Sequence, residues 1–506
     1  MLQISQLLAL VILIGTGYTF LNLRRRKLPY PPGPKSSILL GNAFDIPKHN
    51  IGRVFAEWSR KSNSGVVHAD AFGRHLIVIN SVKVADDLLE KRPELYSDRP
   101  NWPTIELLGW QNVSGLLPYG DLWRLHRRIL HRNLEGQGAT QSRPMIIDEV
   151  DSFLRNLLTS NADHLEQHIR LFSMSVTLLM MYGYKPKSLD DPIVRLADQN
   201  EKEGFSLLSF GGNLVNLFPF LRHIPPWVPG ATIQKKAAEL RKIMTTVMDM
   251  ADSYSKQALA DGSARPSLLT DFYSRKEGCG VSLEEEQAVR DATWTVYGAA
   301  TGTIISTLGS FFYLIAKHPE VQERAQSEID RLVGKDRLPS YDDRNHLPYI
   351  EAIYREVLRA KPPVHTSVYQ VNQDDAYMGY CIPRGSTVLG NIWSMTHDET
   401  VYADPLSFKP ERFFDSDGNL DDDTRILAYG FGRRKCAGKA VASDILWLTM
   451  ASFLASFKIG PAFDDSGKQM EIDDAYEEYG PIIHKIPFHC SIAPRPSHTG
   501  LLVANI

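Results

Sequence analysis

Cys436 stands in the run Tyr429-Gly430-Phe431-Gly432-Arg433-Arg434-Lys435-Cys436-Ala437-Gly438, with glycines on both sides, arginines before it and an apolar, helix-forming stretch (Lys439 to Phe457) after it. A cysteine at the start of a helix meets backbone N–H groups and the positive end of the helix dipole, and both favour a thiolate. A lone thiolate presented in this way suits one task above others, the axial ligand of a haem iron. Gly432 and Gly438 would let the backbone approach a flat cofactor closely, and Arg434 could pair with a carboxylate on its rim. Cys279, Cys381 and Cys490 lie far apart and form no CxxC pair, so neither a zinc site nor a disulfide framework is indicated. They read as inert buried thiols.

Three further groupings carry chemistry. Glu356 and Arg359 are three apart and share a helix face, and Pro410-Glu411-Arg412-Phe413 follows at a distance. Trp123 and Arg127, four apart, also face one way on a basic helix. The remaining basic residues of that helix (Arg124, Arg128, His131, Arg132) are either a solvated face or a docking surface for an acidic electron donor. The third grouping is Val296-Tyr297-Gly298-Ala299-Ala300-Thr301-Gly302-Thr303-Ile304-Ile305-Ser306. Its small residues and two glycines four apart are poor helix formers alone. They make sense in a helix that passes close over a flat cofactor and opens a local groove for oxygen and water.

In this order the segments resemble a microsomal cytochrome P450, a haem-thiolate monooxygenase, over essentially the whole chain. The family's haem loop FxxGxRxCxG reads here Tyr429, Gly432, Arg434, Cys436 and Gly438, with Tyr replacing the first Phe. The resemblance implies haem b as cofactor, Cys436 as its iron ligand, and Trp123, Arg127 and Arg434 as propionate partners. It also implies a buried Glu356–Arg359 ion pair completed by Arg412, holding the cysteine loop in place. Gln370 stands where relatives often carry a propionate-binding His.

The family's oxygen-binding helix reads [AG]GxxT[TS], with an acid just before the Thr. Here Thr303 aligns with that Thr, Gly302 with the acid and Ala300 with the motif's Gly. A second register, Gly298 to Thr301, puts Ala300 at the acid position. Neither register supplies a carboxylate. Proton delivery is then expected through Thr303 together with water, Thr301 or a substrate hydroxyl. A monooxygenase that oxidises a lipophilic small molecule is the favoured reading. Its rivals are a haem-thiolate isomerase or dehydratase, a peroxide-dependent oxidase, and a non-catalytic haem-binding membrane protein.

The elements that must position these residues follow from composition and periodicity. The chain has 506 residues, 43% apolar and 23% charged, with a formal net charge of −3. That is enough for a large core, and the near-neutral balance gives no support for nucleic-acid binding. No linker or repeat divides the body, so 37–506 is expected to form a single catalytic domain, mainly α with small β-sheets, with the fold of the resembled family. Leu2 to Leu23 is uncharged and long enough to cross a bilayer at ~20 residues. Arg24 to Lys27 stop it, which predicts a cytosolic body. Residues 1–27 are thus expected to anchor the protein and 28–36, rich in Pro, to form a stiff neck. With this topology the sequon Asn112-Val113-Ser114 should stay unmodified.

The spacing predicts strands at 66–71 and 75–80, a helix over 81–91, a long loop over 93–120 and a helix over 121–134 capped by Asp121. It predicts a long helix from Ser282 to Lys317, another over 349–360, and strands near 367–371, 376–382, 387–389 and 482–494. The resemblance further implies an endoplasmic-reticulum location, NADPH-cytochrome P450 reductase as electron donor with cytochrome b5 as a second candidate, and a substrate of fungal secondary metabolism, terpenoid or similar. Family-equivalent pocket positions are Trp102, Trp110, Val113, Phe210, Leu217, Trp294, Tyr297, Thr301, Thr366, Val368 and Ile483.

Overall fold

The computed structural model describes residues 28–38, 40–159, 162–208, 213–276 and 282–496. The expected membrane stretch (1–27), Phe210 and Cys279 lie outside the described residues. The long helices are α1 (Ile51–Ser62), α2 (Asp121–Leu134), α3 (Gly136–Thr159), α4 (Leu165–Tyr182), α5 (Pro192–Leu207), α6 (Thr232–Ala260), α7 (Leu268–Lys276), α8 (Leu283–Lys317), α9 (Pro319–Leu332), α10 (Pro348–Ala360) and α11 (Lys439–Ser456). The strands are β1 (Val66–Ala71), β2 (Arg74–Ile79), β3 (Thr366–Gln370), β4 (Asp375–Tyr377), β5 (Tyr380–Ile382), β6 (Thr387–Asn391), β7 (Phe457–Pro461), β8 (Tyr476–Tyr479), β9 (Ile482–Lys485) and β10 (Cys490–Pro494). One four-stranded sheet runs β1-β2-β6-β3, with β2 and β6 parallel and the other neighbours antiparallel. The remaining strands form two-stranded pairs. This is the expected mainly helical fold with small sheets.

The central strut is α8. Its first turn is fixed by Ser282, whose hydroxyl accepts the Glu285 N–H at 3.1 Å. It ends where Pro319 keeps His318 out of the helical region. By length and composition α8 could cross a membrane, but 78% of its most apolar window is buried inside the protein. It packs on α4, α2, α11 and β9. Phe312 of α8 meets Phe453 of α11 edge to face, with ring centroids 4.7 Å apart. Phe311 adds a second such contact to the same ring. Pairs of this kind add about 0.5–1.5 kcal/mol each beyond their burial. They fix α11, and with it the cysteine loop at its start, against α8.

Four local expectations need correction. The 81–91 helix is α-helical only over Val82–Ala85 and then widens into a π-turn at Asp86–Glu90. The loop over 93–120 contains short helices at Pro93–Tyr96, Pro103–Leu108 and Trp110–Asn112, because its prolines sit at helix starts. Asp121 does not cap α2: Gly120 holds the cap position and Asp121 pairs with Arg124 one turn on. The single strand over 376–382 is the hairpin β4–β5, turned at Met378 and Gly379, both with positive φ. The Pro-rich segment is tied to the body. Pro29 and Pro32 carbonyls accept from Cys381 (2.7 Å) and His68 (2.9 Å) backbone N–H groups.

Candidate active site

The cysteine loop is built by its glycines and by α10. Gly432 has φ +59°, and a Cβ there would lie 2.2 Å from the Leu89 carbonyl oxygen. Glycine is required there by that left-handed turn and by contact with the preceding π-turn. Gly438 has an ordinary φ of −93°, and a Cβ there would lie 4.0 Å from Cys436 Sγ. Tyr429 accepts the Cys436 N–H through its carbonyl at 2.9 Å. The extra hydroxyl of Tyr429 has a partner, Tyr354 of α10, at 2.8 Å. The Tyr-for-Phe exchange therefore adds a link between the loop and α10 without an unpaired polar atom.

Cys436 keeps exposed surface although protein is dense around it. Burial pushes the thiol up from its ordinary value, while the Gly438 N–H bonded to sulfur and the Arg127 charge pull it down. Burial wins, so the backbone donors and helix start do not by themselves make the thiolate expected from sequence. A coordinated metal ion deprotonates a thiol outright.

A cationic rim lies beside the loop. Arg434 donates from Nε to the Ser97 carbonyl (2.7 Å) and from Nη2 to that of Leu117 (2.8 Å), while its buried Nη1 has no partner. Arg99 donates to Gly115 O at 2.8 Å, and its buried Nη1 is likewise unsatisfied. Burial and the neighbouring Arg99 charge lower the Arg434 guanidinium to about 9. Arg127 has no carboxylate partner among the described residues. Trp123 lies under the Arg434 guanidinium at 4.7 Å. His126 is fully buried, with Nδ1 2.8 Å from Ser114 Oγ and Nε2 unpartnered. Burial lowers it to about 4, so it is neutral near pH 7. Guanidiniums gathered with buried donors unspent are repelled by one another until an anion joins them. The set fits a flat group with a sulfur-seeking metal at its centre and carboxylates on its edge. Gln370, by contrast, gives its side-chain amide to Gly385 O at 3.3 Å and its backbone N–H to Asp98 O at 2.9 Å.

Behind the loop, Glu356 is fully buried and receives Arg359 Nε and Nη2 at 2.6 and 2.8 Å and Arg412 Nε at 3.1 Å. The Lys409 N–H adds a fourth bond at 2.9 Å. Arg359 and Arg412 also donate to the carbonyls of Thr396, Ala403, Asp404, Pro405 and Ser407. One carboxylate thus pins the long connection between β6 and the cysteine loop to α10.

On α8, the two candidate threonines face opposite ways. Thr301 is fully buried, its hydroxyl 3.0 Å from that of Thr177 on α4 and donating to Tyr297 O at 2.8 Å. Thr303 shares its face with Ala299, which is exposed in mid-helix inside the protein. Its hydroxyl donates to Ala299 O at 2.9 Å and Ala300 O at 3.1 Å. Only the register ending at Thr303 presents a hydroxyl to the internal space. Gly298 has open space beside it, in keeping with the expected groove. Gly302 does not: a Cβ there would stand 2.3 Å from Glu201 Oε1 of α5 and 3.2 Å from Ile482 Cδ1 of β9.

Of the pocket positions, Trp110, Trp294, Tyr297, Thr301 and Ile483 are buried core, whereas Trp102, Val113, Leu217, Thr366 and Val368 keep partial exposure. Sequence reasoning passed over Arg99, His126 and Glu201. His126 lies one turn from Trp123 on the same face, a signal that was available. Arg99 and Glu201 reach the site through contacts between distant segments and carry no local mark.

A helical body with a lone enclosed cysteine and a cationic rim is the architecture of a haem-thiolate protein. A model of the family described as "Cytochrome P450" matches residues 31–475. The chain is 35% identical to "Cytochrome P450 monooxygenase 136" of Postia placenta, over 100% of this chain and 97% of that protein. It is 35% identical to "Cytochrome P450 monooxygenase COX2" of Coprinopsis cinerea, over 94% and 91% of the two chains. It is 33% identical to "Cytochrome P450 monooxygenase claT" of Ampulloclitocybe clavipes, over 99% and 98%. The chain belongs to the cytochrome P450 family, as an oxidoreductase of the haem-thiolate monooxygenase class with fungal relatives.

Proposed function

We propose that the protein oxidises a lipophilic small molecule, of terpenoid or similar secondary-metabolite type, at haem b ligated by Cys436. The observation that carries this reading is the accessible Cys436 in its glycine-bracketed loop beside a rim of guanidiniums with unspent donors. Haem held there supplies reductive activation of dioxygen and insertion of one oxygen atom into a carbon–hydrogen bond. Arg434, Arg127 and Arg99 hold its propionates, with Trp123 and His126 Nε2 as further donors. The Gly438 N–H orients and moderates the sulfur. Thr303 Oγ1, its own proton committed to the helix, accepts a hydrogen bond from water in the distal space and positions it. Glu356, Arg359 and Arg412 keep the loop in register.

Electrons arrive from NADPH-cytochrome P450 reductase, with cytochrome b5 as a second donor, at a proximal face that carries the exposed Arg128 and Arg132 of α2 and Arg433. Residues 1–27 anchor the chain in the endoplasmic reticulum membrane with 37–506 in the cytosol. Exposed Phe44, Phe220 and Trp227 suit a surface that rests on lipid. Expression with the reductase in a host fed isotope-labelled dioxygen is expected to give a new product carrying one labelled oxygen atom, detected by mass spectrometry. Turnover with a lipid hydroperoxide alone, and none with NADPH and reductase, would overturn the reading.

Arg99→Leu gives a further expected outcome. Removing one charge-assisted donor costs about 1.5–3 kcal/mol of haem binding, roughly 10- to 100-fold. Transfer of haem to apomyoglobin should speed up accordingly, without loss of fold, because the crowding of Arg434 is relieved.

A further inference from the structure

We propose that Glu201, reaching across from α5, supplies the carboxyl that α8 lacks at Gly302 and donates protons to the water held by Thr303. The inference rests on the proposed haem chemistry of the same site. Gly302 is the notch that admits Glu201: Oε1 lies where a side chain at 302 would begin, 2.3 Å from an ideal Cβ. A side chain at 302 would force the Glu201 carboxyl to swing out of the notch. The two positions, about a hundred residues apart in sequence, therefore compete for one space.

The surroundings suit a proton donor. Glu201 keeps partial exposure although protein surrounds it densely. Gly298, one turn before Gly302 on the same face, has nothing within 4 Å of its missing Cβ. Burial, aided by Asp198 on the same helix, raises the Glu201 carboxyl to about 8, against the opposing pull of Arg170 and the Gly302 N–H. It therefore carries a proton at neutral pH. Arg170 of α4 is ion-paired with Asp198 and, at 3.4 Å, with the partly exposed Glu166. A cleft lined by Glu166, Arg170, Gly309, Glu477 and His484 brings solvent to this cluster. Tyr297 of α8 is a further titratable neighbour of Glu201, and His484 of β9 lies near Arg170. Burial holds Tyr297 protonated, and His484 is neutral above about 4.

In the step, the Glu201 O–H bond breaks as an O–H bond forms at the water, which gives up one of its own protons to the oxygen reduced by the NADPH electrons; the relay itself exchanges no electrons. Water entering the cleft beside Glu166 and Arg170 returns a proton to Glu201.

The test uses the reconstituted holoenzyme and reductase without added substrate, reading hydrogen peroxide formed per NADPH consumed. Glu201→Gln keeps the shape and loses the acid. The NADPH electrons recovered in water instead of peroxide are expected to fall by at least about tenfold, short of the ~10²–10⁴ of a positioned acid because Thr303 remains. Glu201→Ala combined with Gly302→Asp restores a carboxyl from α8 and should recover the wild-type partition. Two readouts do not depend on turnover. Gly302→Ala should lower the thermal midpoint with Glu201 present and not in the Glu201→Ala background.

The other readout is the pH dependence of stability. A carboxyl raised from 4.5 to about 8 binds a proton when folded that the unfolded chain has released. Its contribution to stability falls as pH rises across that window. Glu201→Gln should therefore gain thermal midpoint relative to wild type toward pH 8. An unchanged peroxide fraction in Glu201→Gln overturns the proposal, as does a loss that the double variant fails to rescue. If the wild-type protein shows no thiolate-haem spectrum at all, it is the haem assignment that fails instead.

Discussion

Glu356→Ala is expected to destabilise the protein by about 3–5 kcal/mol and to abolish haem incorporation. The substitution leaves Arg359, 4% exposed, and the nearly buried Arg412 without the carboxylate that both address. Stranding buried guanidiniums costs more than the intact pair contributes, because each has been desolvated. The loss spreads beyond the pair, since the same arginines hold five carbonyls of the segment that leads to the cysteine loop. Thermal unfolding and the haem-to-protein absorbance ratio check it together. Removing charge on both sides, as in Glu356→Met with Arg359→Met, should cost less than Glu356→Ala alone. A single variant that folds with full haem would show that the cluster does not hold the loop.

Cys436→Ser should retain the fold and lose monooxygenation to background. The side chain faces space, so its replacement opens no cavity in the core. A serine hydroxyl cannot match the electron donation of a thiolate to iron. Because the neutral thiol is favoured by burial in the chain itself, loss of the iron–sulfur bond leaves nothing that holds charge at this position. The measurement is the pair of thermal midpoint and NADPH-dependent product formation, with the first little changed and the second gone.

Much of this was legible in the residues. α2 spans the expected 121–134, and α8 runs from its Ser282 cap to the residue before His318-Pro319, because caps and prolines act locally. The cysteine loop and the shared helix face of Glu356 and Arg359 were readable from spacing, and the family resemblance added Arg412 to the pair. Other features depend on contacts that spacing does not encode. Gly432 serves a packing contact with Leu89. The hairpin β4–β5 hides inside one apparently continuous strand because Met378 takes a left-handed conformation that sequence alone does not announce. Gly302 looked like a missing acid and a groove, whereas the fold fills that gap with Glu201. Restoring Asp at 302 in an otherwise intact chain, a natural test from sequence, would therefore place two carboxyls in one notch.

The most direct measurement is the carbon-monoxide difference spectrum of the reduced, purified protein. The assignment of Cys436 as iron ligand predicts the red-shifted Soret band of thiolate-ligated haem in the wild type and its loss in Cys436→Ser. A wild-type protein that binds haem but shows the unshifted band of a histidine-ligated or neutral-thiol haem would contradict it.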